Sequence, residues 1–163
     1  KPLDIKTAQI IDKAIKFLKE AIKISDKKEY RDEWDEIVSM RKDIEIALKI
    51  YTDQGEFQES IDEFSKLKNK YPNCGLIEYN MGKINQQEDR FTQALKHFKL
   101  AIALNPYRKK YQLSLNYVVG QYILEGDEYS SMRDFETARD KYLEALRYKE
   151  DDPIILFKLS KTF

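Results

Sequence analysis

Several residue types are scarce in this chain of 163 residues, and each scarcity narrows what the protein can be. Cys74 is the only cysteine, which excludes a disulfide within the chain. This favours a reducing compartment such as the cytoplasm, with the periplasm as the alternative. The 5 glycines and 4 prolines supply few of the turns that a β protein needs. No apolar run approaches the roughly 20 residues of a membrane-spanning helix. The 29 basic residues balance the 29 acidic ones, so net charge does not indicate a nucleic-acid partner.

Side chains that carry catalysis are also scarce. His97 is the only histidine, and its position on a predicted helix indicates the outer surface rather than metal binding or general-base catalysis. Cys74 has no histidine near it in the sequence that would activate its thiol. The chain carries no glycine-rich phosphate loop, no HExxH pattern and no paired-cysteine zinc pattern. We therefore predict a protein that is not an enzyme and that has neither cofactor nor metal.

What the sequence does have is helical periodicity, and it is clearest at residues 75–108. Gly82 lies in the middle of a helical pattern, where glycine costs about 1 kcal/mol relative to alanine. We therefore expect a neighbouring helix to approach closely there. Ala94 and Ala101 share one face of the next helix and leave room for such an approach. Pro106 ends that second helix because proline lacks an N–H. The pattern predicts two helices, at 75–88 and 91–104.

The same residue types recur on both sides of this unit. Two phenylalanines and a proline occur before it with the same spacing, at Phe57, Phe64 and Pro72. Two aromatic residues and two alanines recur after it, also with the same spacing, at Phe135, Ala138, Tyr142 and Ala145. This set resembles the tetratricopeptide repeat, a helix–turn–helix unit with a period of about 34 residues. The resemblance implies an all-α fold, an α-solenoid of stacked antiparallel helix pairs that winds into a right-handed superhelix.

The resemblance predicts one repeat domain over residues 1–163. Divergent helices are expected at 4–40, the first of them at 4–24, and residues 29–54 suit either one long helix, which is favoured, or two helices broken near Ser39–Asp43. Ten extra residues of the third repeat are expected near 122–134, with Gly126 as a helix stop and a polar loop after it. The units are predicted at 41–74, 75–108 and 109–152, followed by a partial repeat or capping helix at 153–163.

The resemblance also implies a function. In tetratricopeptide proteins the first helix of each pair lines a concave groove that accepts an extended peptide or a helix. We therefore expect a protein-interaction module, an adaptor or scaffold. The implied groove positions are Lys42, Glu45, Ile46 and Lys49, then Leu76, Tyr79, Asn80, Lys83 and Gln87, then Lys110, Leu113, Ser114, Tyr117 and Gln121, and finally Ile154, Phe157, Lys158 and Lys161. Their lysines favour an acidic segment or a C-terminal carboxylate as ligand, unless lysine is simply common on helix surfaces here.

Some members of the family clamp the C-terminal carboxylates of abundant cytosolic chaperones. Asn80 and Lys110 match the residues that this role requires. Glu45, Lys49 and Ser114 do not match, and Glu45 reverses the required charge. These departures argue against that role.

Two other functions remain open. The chain is either a regulatory or targeting part of a larger enzyme, or a structural component that associates with itself. The apolar C-terminal segment suggests a contact for such self-association, at Leu156, Phe157 and Phe163.

Overall fold

The computed structural model describes residues 13–21, 23 and 28–163, and their regular structure is entirely α-helical. Residues 13–21 and 23 are helical, and the rest of the helix predicted at 4–24 lies outside the described residues. The prediction of an all-α fold is confirmed. None of the described helices combines the length and apolar character needed to cross a membrane. The later helices are α1 (Lys28–Gln54), α2 (Phe57–Lys70), α3 (Gly75–Gln87), α4 (Phe91–Leu104), α5 (Lys109–Ser131), α6 (Phe135–Leu146) and α7 (Pro153–Ser160).

The chain forms two compact units, residues 1–77 and 78–163, and their boundary falls inside α3. In the first unit α1 is a single helix of 27 residues, so the favoured alternative of one long helix is confirmed. Gly55 has a φ of 73°, a conformation that glycine adopts without strain, and it allows the short turn into α2. The buried Ser60 hydroxyl donates to the Ala47 carbonyl at 2.7 Å, which ties α2 to α1.

In the second unit α3 and α4 form a helix pair that closes on a glycine. A Cβ atom placed on Gly82 would lie 2.6 Å from a ring carbon of Phe98, closer than real Cβ atoms approach. The Phe98 ring is fully buried against this position. Gly82 therefore has the role predicted from its cost in a helix, because only a residue without a side chain allows the ring to come so close.

The next pair, α5 and α6, closes in the same way but on a longer helix. α5 has 23 residues, whereas α3 has 13. The prediction that Gly126 stops the helix and opens a polar loop is wrong, because α5 continues to Ser131. The ring of Tyr142 instead packs directly on Gly126, and a Cβ atom placed on this glycine would lie only 2.5 Å from a ring carbon. The extra residues lengthen the helix and do not form a loop.

Side-chain caps begin the last two helices. The Asp134 carboxylate accepts from the Thr137 N–H at 3.1 Å at the start of α6. Asp152 accepts from the N–H groups of Ile154 and Ile155 at the start of α7. Such caps satisfy backbone donors that have no partner inside a helix, and each typically stabilises a helix by about 1 kcal/mol.

Candidate functional site

The outward side of α5 carries three large apolar side chains. Leu113, Tyr117 and Leu124 are 67%, 55% and 55% exposed. At about 100° of rotation per residue, they fall within about 40° of one another around the helix. That direction is opposite to the buried side of α5. The buried residues are Tyr111, Leu115, Val118, Val119, Tyr122 and Gly126.

Gly120 lies between Tyr117 and Leu124 on the same side, and a Cβ atom placed there would meet no other atom within 4 Å. We call Leu113, Tyr117, Gly120 and Leu124 the apolar stripe. Most of the groove residues predicted on α5 lie on it or beside it. The polar ones beside it are half-buried: Lys110, Ser114 and Gln121.

Tyr79 and Lys110 are brought together in the structure. The Tyr79 ring stacks on the Tyr111 ring with centroids 4.8 Å apart, and the Lys110 ammonium lies 4.4 Å from the Tyr79 ring centroid. Tyr79 is only 9% exposed. Its ring therefore serves mainly to join α3 to α5, and it offers little surface on which a ligand would stack.

The other predicted groove residues of α3 differ in burial. Asn80 is 8% exposed, and among the described residues its Nδ2 has no hydrogen-bond partner. A buried amide that lacks a partner costs free energy, and burial keeps this nitrogen out of reach of a ligand. Lys83 is half-buried and donates to Gln86 at 2.9 Å, whereas Gln87 is exposed at the end of the helix.

The first unit holds the groove residues predicted on α1. Lys42 and Ile46 are exposed there. Glu45 and Lys49 form an ion pair of 3.3 Å, with side chains 54% and 61% exposed. An exposed pair of this kind contributes little to stability, so these two charges remain accessible to a partner.

A cavity of about 420 Å³ lies between α5, α6 and α7. Ile154 and Phe157 form its apolar side and are 61% and 60% exposed. Four groove residues predicted at 153–163 meet three residues that were not predicted. The lining residues are Asp127, Ser130, Tyr142, Ile154, Phe157, Lys158 and Lys161.

A hydrogen-bonded group forms the polar side of this cavity. Lys158 donates to Asp127 at 2.6 Å, and the Tyr142 hydroxyl donates to the same carboxylate at 2.7 Å. Partial burial raises the pKa of Asp127, but the hydrogen bonds from Lys158 and Tyr142 outweigh it, and the pKa lies below the usual 3.8. Burial and the bond to Asp127 raise the pKa of Tyr142 to about 12. The carboxylate is therefore charged and already paired at neutral pH.

The signal for Asp127 was present in the sequence. The groove positions on α5 were transferred from α3 by the common repeat period of about 34 residues. The glycine and ring positions instead recur at a longer interval, from Gly82 to Gly126 and from Phe98 to Tyr142. At the longer interval, the residue of α5 that corresponds to Lys83 is Asp127. The groove positions of α3 therefore correspond to the C-terminal half of α5, and the transfer by about 34 residues missed that half.

A second cavity of about 420 Å³ adjoins the start of α4. Lys141 pairs with Glu125 at 2.6 Å at its edge, and Thr92 and Tyr122 share a hydrogen bond of 2.8 Å. None of the predicted groove residues lines it. Its lining consists of Asp89, Arg90, Phe91, Thr92, Gln93, Tyr122, Glu125 and Lys141.

His97 does not lie on the outer surface, so that prediction is wrong. Its Nδ1 lies 2.8 Å from Oε2 of Glu78, whose side chain is 4% exposed, and the histidine side chain itself is 19% exposed. A buried carboxylate needs a hydrogen-bonding partner, and His97 supplies one. Within the part of the chain that the structure describes, no cluster of residues suited to a metal ion occurs.

Comparison with known proteins gives a sequence match over a short part of the chain and structural matches over most of it. The family model described as tetratricopeptide repeat matches residues 79–108. A search of curated proteins finds no match. One similar solved structure is the first TPR of Spaghetti (RPAP3) bound to the HSP90 peptide SRMEEVD. It is 21% identical, with a TM-score of 0.43, and the match covers 76% of this chain and 91% of that chain. Another is MamA, at 19% identity and a TM-score of 0.37, covering 99% of this chain and 84% of that chain.

The matched residues contain the α3–α4 pair and the Gly82–Phe98 contact. The resemblance predicted from Gly82, Ala94, Phe98 and Pro106 is confirmed at the unit where those residues were found. The chain thus contains a tetratricopeptide repeat at residues 79–108.

Proposed function

We propose that this chain is a non-enzymatic protein-interaction module that binds a segment of a protein partner on the outward side of α5 and α7. The observation that carries the proposal is the accessible apolar surface of these two helices. Leu113, Tyr117 and Leu124 on α5 and Ile154 and Phe157 on α7 are all more than half exposed. The three residues of α5 share one side of that helix, and the two of α7 line one cavity. Exposed apolar residues grouped in this way typically mark an interaction site.

The cavity between α5, α6 and α7 defines the chemistry of the partner segment. Lys158 is already paired with Asp127, whereas Lys161 lies 4.2 Å from the centroid of the Phe157 ring. The cavity therefore presents one cation beside an apolar wall. A segment with an acidic residue next to a large apolar residue complements both features, with the acid at Lys161 and the apolar side chain at Phe157 and Ile154.

The remaining predicted groove residues extend this surface. We expect small contributions from Asn80 and Tyr79, which are nearly buried, and from Lys83, which is half-buried. Two sets complete the proposed contacts: Gln87, Lys110, Ser114 and Gln121 in the second unit, and a separate patch of Lys42, Glu45 and Lys49 in the first.

A displayed library of random peptides tests the proposal without knowledge of the natural partner. Peptides selected on the wild-type chain are then titrated against Phe157→Ala, Tyr117→Ala and Lys161→Glu. We expect Phe157→Ala to weaken binding by about tenfold, equivalent to about 1.4 kcal/mol. Lys161→Glu should weaken mainly the peptides that carry an acidic residue, because it reverses the charge that faces them.

Two matched controls lie away from this surface. Tyr107 is 93% exposed beyond the end of α4, and Lys96 is exposed on α4. Tyr107→Ala and Lys96→Glu should leave the affinities unchanged. Selected peptides that bind Phe157→Ala and Tyr117→Ala as tightly as the wild type would contradict the proposal.

A further inference from the structure

Glycine in the middle of a helix receives an aromatic ring twice in this fold. Gly82 receives Phe98 and Gly126 receives Tyr142, each at a distance that leaves no room for a Cβ atom. Gly120 is the third glycine inside a helix of the second unit, and no atom would lie within 4 Å of a Cβ placed on it. Gly120 therefore lowers the stability of the helix, as glycine usually does, without making room for an aromatic ring.

The residues around Gly120 follow the spacing of a helix–helix seam. Leu113, Tyr117, Gly120 and Leu124 are separated by four, three and four residues, as the core positions of a heptad are. Tyr117 is 55% exposed, so its ring is accessible to another molecule. The seam is therefore a helix face with an exposed aromatic ring, that of Tyr117, and an open position over Gly120 that no ring fills. We call such a position a glycine seat.

The seam is also complementary to itself when its direction is reversed. About the point between Val118 and Val119, Leu113 exchanges with Leu124 and Tyr117 exchanges with Gly120. A two-fold axis between identical subunits requires this relation, because residue i of one copy meets residue j of the other and the reverse. We propose that α5 packs antiparallel against α5 of a second copy of this chain, with Tyr117 of each copy seated on Gly120 of the other.

The charges at the ends of α5 fit this pairing. The same exchange brings Lys109 and Lys110 of one copy level with Asp127 and Glu128 of the other. At about 100° of rotation per residue, Lys109 and Asp127 lie on one edge of the stripe, and Lys110 and Glu128 lie on the other. A two-fold axis keeps each edge on its own side, so Lys110 meets Glu128, and Lys109 meets Asp127, which is already paired with Lys158. Among the described residues Glu128 forms no ion pair, and it is exposed.

Within one copy this charge distribution is unfavourable. The N-terminal end of a helix carries partial positive charge and its C-terminal end partial negative charge. Lys109 and Lys110 lie at the first end of α5 and Glu128 near the last, so each opposes the helix dipole. In an antiparallel pair each charge instead meets an opposite charge on the neighbouring helix.

The apolar C-terminal end suits self-association less well. Phe157 and Phe163 are exposed there, but the Lys161 ammonium lies 4.2 Å from the first ring centroid and the Arg139 guanidinium 4.4 Å from the second. Two copies that met through this same end would bring these like charges together. The α5 pairing goes beyond the proposed function, and a second copy would compete with a partner segment for Leu113 and Tyr117.

One helix seam is smaller than the roughly 800 Å² per partner of stable complexes, so we expect a dimer that forms at high concentration. Sedimentation of the purified chain from roughly 5 to roughly 500 μM measures it. Gly120→Ala fills the glycine seat and should weaken dimerisation about tenfold. The same change should raise the melting temperature, because alanine favours the helix. Weaker association therefore cannot be ascribed to unfolding.

Charge exchange gives the sharper test. Lys110→Glu and Glu128→Lys each place like charges together in the dimer, so each alone should weaken association. Glu128→Lys agrees with the helix dipole and should not destabilise the monomer. Lys110→Glu also removes the ammonium from the Tyr79 ring, so its melting temperature is measured beside its association. The double variant restores opposite charges and should return the dissociation constant to within about threefold of wild type. Lys96→Glu on α4 is the matched control.

Three results would overturn the proposal. The first is a wild-type chain that stays monomeric over the whole concentration range. The second is a Gly120→Ala variant that associates as tightly as the wild type. The third is a double charge variant that associates no more tightly than the single variants. Loss of association in Phe163→Ala with no effect of Gly120→Ala would assign the contact to the C-terminal end. Sedimentation uses no partner peptide, so its outcome leaves the peptide-binding result untouched.

Discussion

The two helix pairs of the second unit have the same contact at their centre but differ in length. Gly82 with Phe98 joins the first pair, and Gly126 with Tyr142 joins the second. The starts of α3 and α5, at Gly75 and Lys109, lie ten residues closer together in sequence than the two glycines do. The ten additional residues therefore lie between the first residue of α5 and its glycine.

This difference shows that the glycine, and not the start of the helix, decides where a pair closes. α6 packs on the C-terminal half of α5, where Gly126 receives Tyr142. α4 contacts the same helix nearer its middle, with Phe91 and Tyr122 rings 6.2 Å apart. α5 thus packs against two helices in succession, and its length presents the apolar stripe on the opposite side.

The second difference is the hydroxyl of Tyr142, which Phe98 lacks. It donates to Asp127, and Asp127 accepts from Lys158 of α7. In the first pair the position equivalent to Asp127 is Lys83, which donates to Gln86 instead. The Tyr142 hydroxyl and Asp127 therefore link the second pair to α7, whereas the first pair is joined to α5 by the hydrogen bond between Thr92 and Tyr122.

The largest expected effect comes from removing either ring. Phe98 is completely buried and Tyr142 is 2% exposed, so Phe98→Ala and Tyr142→Ala each leave a cavity in the core. We expect each to lower the free energy of unfolding by about 3–5 kcal/mol, measured by urea denaturation. Tyr107→Ala is the control and should change it by less than about 0.5 kcal/mol. If only one of the two substitutions lowered the free energy of unfolding by this much, the two helix pairs would not be held together by equivalent ring–glycine contacts.

Filling the glycine seats should have the next largest effect. A methyl group at Gly82 or Gly126 would lie about 2.5 Å from a buried ring, and the ring must shift. We expect Gly82→Ala and Gly126→Ala to cost about 1–2 kcal/mol despite the better helix propensity of alanine. Gly120→Ala meets nothing and should stabilise the monomer by up to about 1 kcal/mol. Thermal unfolding at low concentration compares the three, and equal effects would contradict the assignment of the seats.

Much of the fold was accessible from the sequence because its signals are local. The cost of Gly82 inside a helical pattern and the helix stop at Pro106 are both visible from neighbouring residues, and α3 and α4 were predicted within a residue of their observed ends. Residues 29–54 have helical spacing with a single gap at Arg41, and α1 runs through that gap without a break. Leu113 and Tyr117 were predicted as groove residues by transfer from α3, and both are exposed on the outward side of α5.

What was missed depends on contacts between residues far apart in the chain. Gly126 has the same local environment whether it ends a helix or seats a ring, and only Tyr142 on the next helix distinguishes the two. His97 was placed outside because nothing near it in sequence needs a partner, whereas the buried Glu78 does. The role of Asp127 likewise depends on Tyr142 and Lys158, which follow it by 15 and 31 residues.

A smaller effect isolates the hydroxyl that distinguishes the two pairs. Tyr142→Phe keeps the ring on Gly126 but removes the bond to Asp127, and we expect a cost of about 0.5–1.5 kcal/mol. In the background of Asp127→Asn the same change should cost less, because the charged acceptor has gone. Urea denaturation of the four chains gives the coupling between the two residues. Strictly additive costs would mean that the hydrogen bond contributes nothing.

The smallest expected effect is on pH dependence and involves Asp127. Its pKa in the folded chain is below the usual 3.8, so the carboxylate stabilises the fold above that value. The stability is lost as pH falls through the lowered pKa, because protonation weakens the bonds from Lys158 and Tyr142. The side chain is 39% exposed, so solvent screening keeps the effect small. The stability difference between wild type and Asp127→Asn should therefore shrink below about pH 4. Lys83 is the corresponding residue of the first pair and carries no carboxylate, so the difference between wild type and Lys83→Gln should not change in that range. A parallel change in both variants would mean that the acid sensitivity belongs to the whole unit and not to the link between α5 and α7.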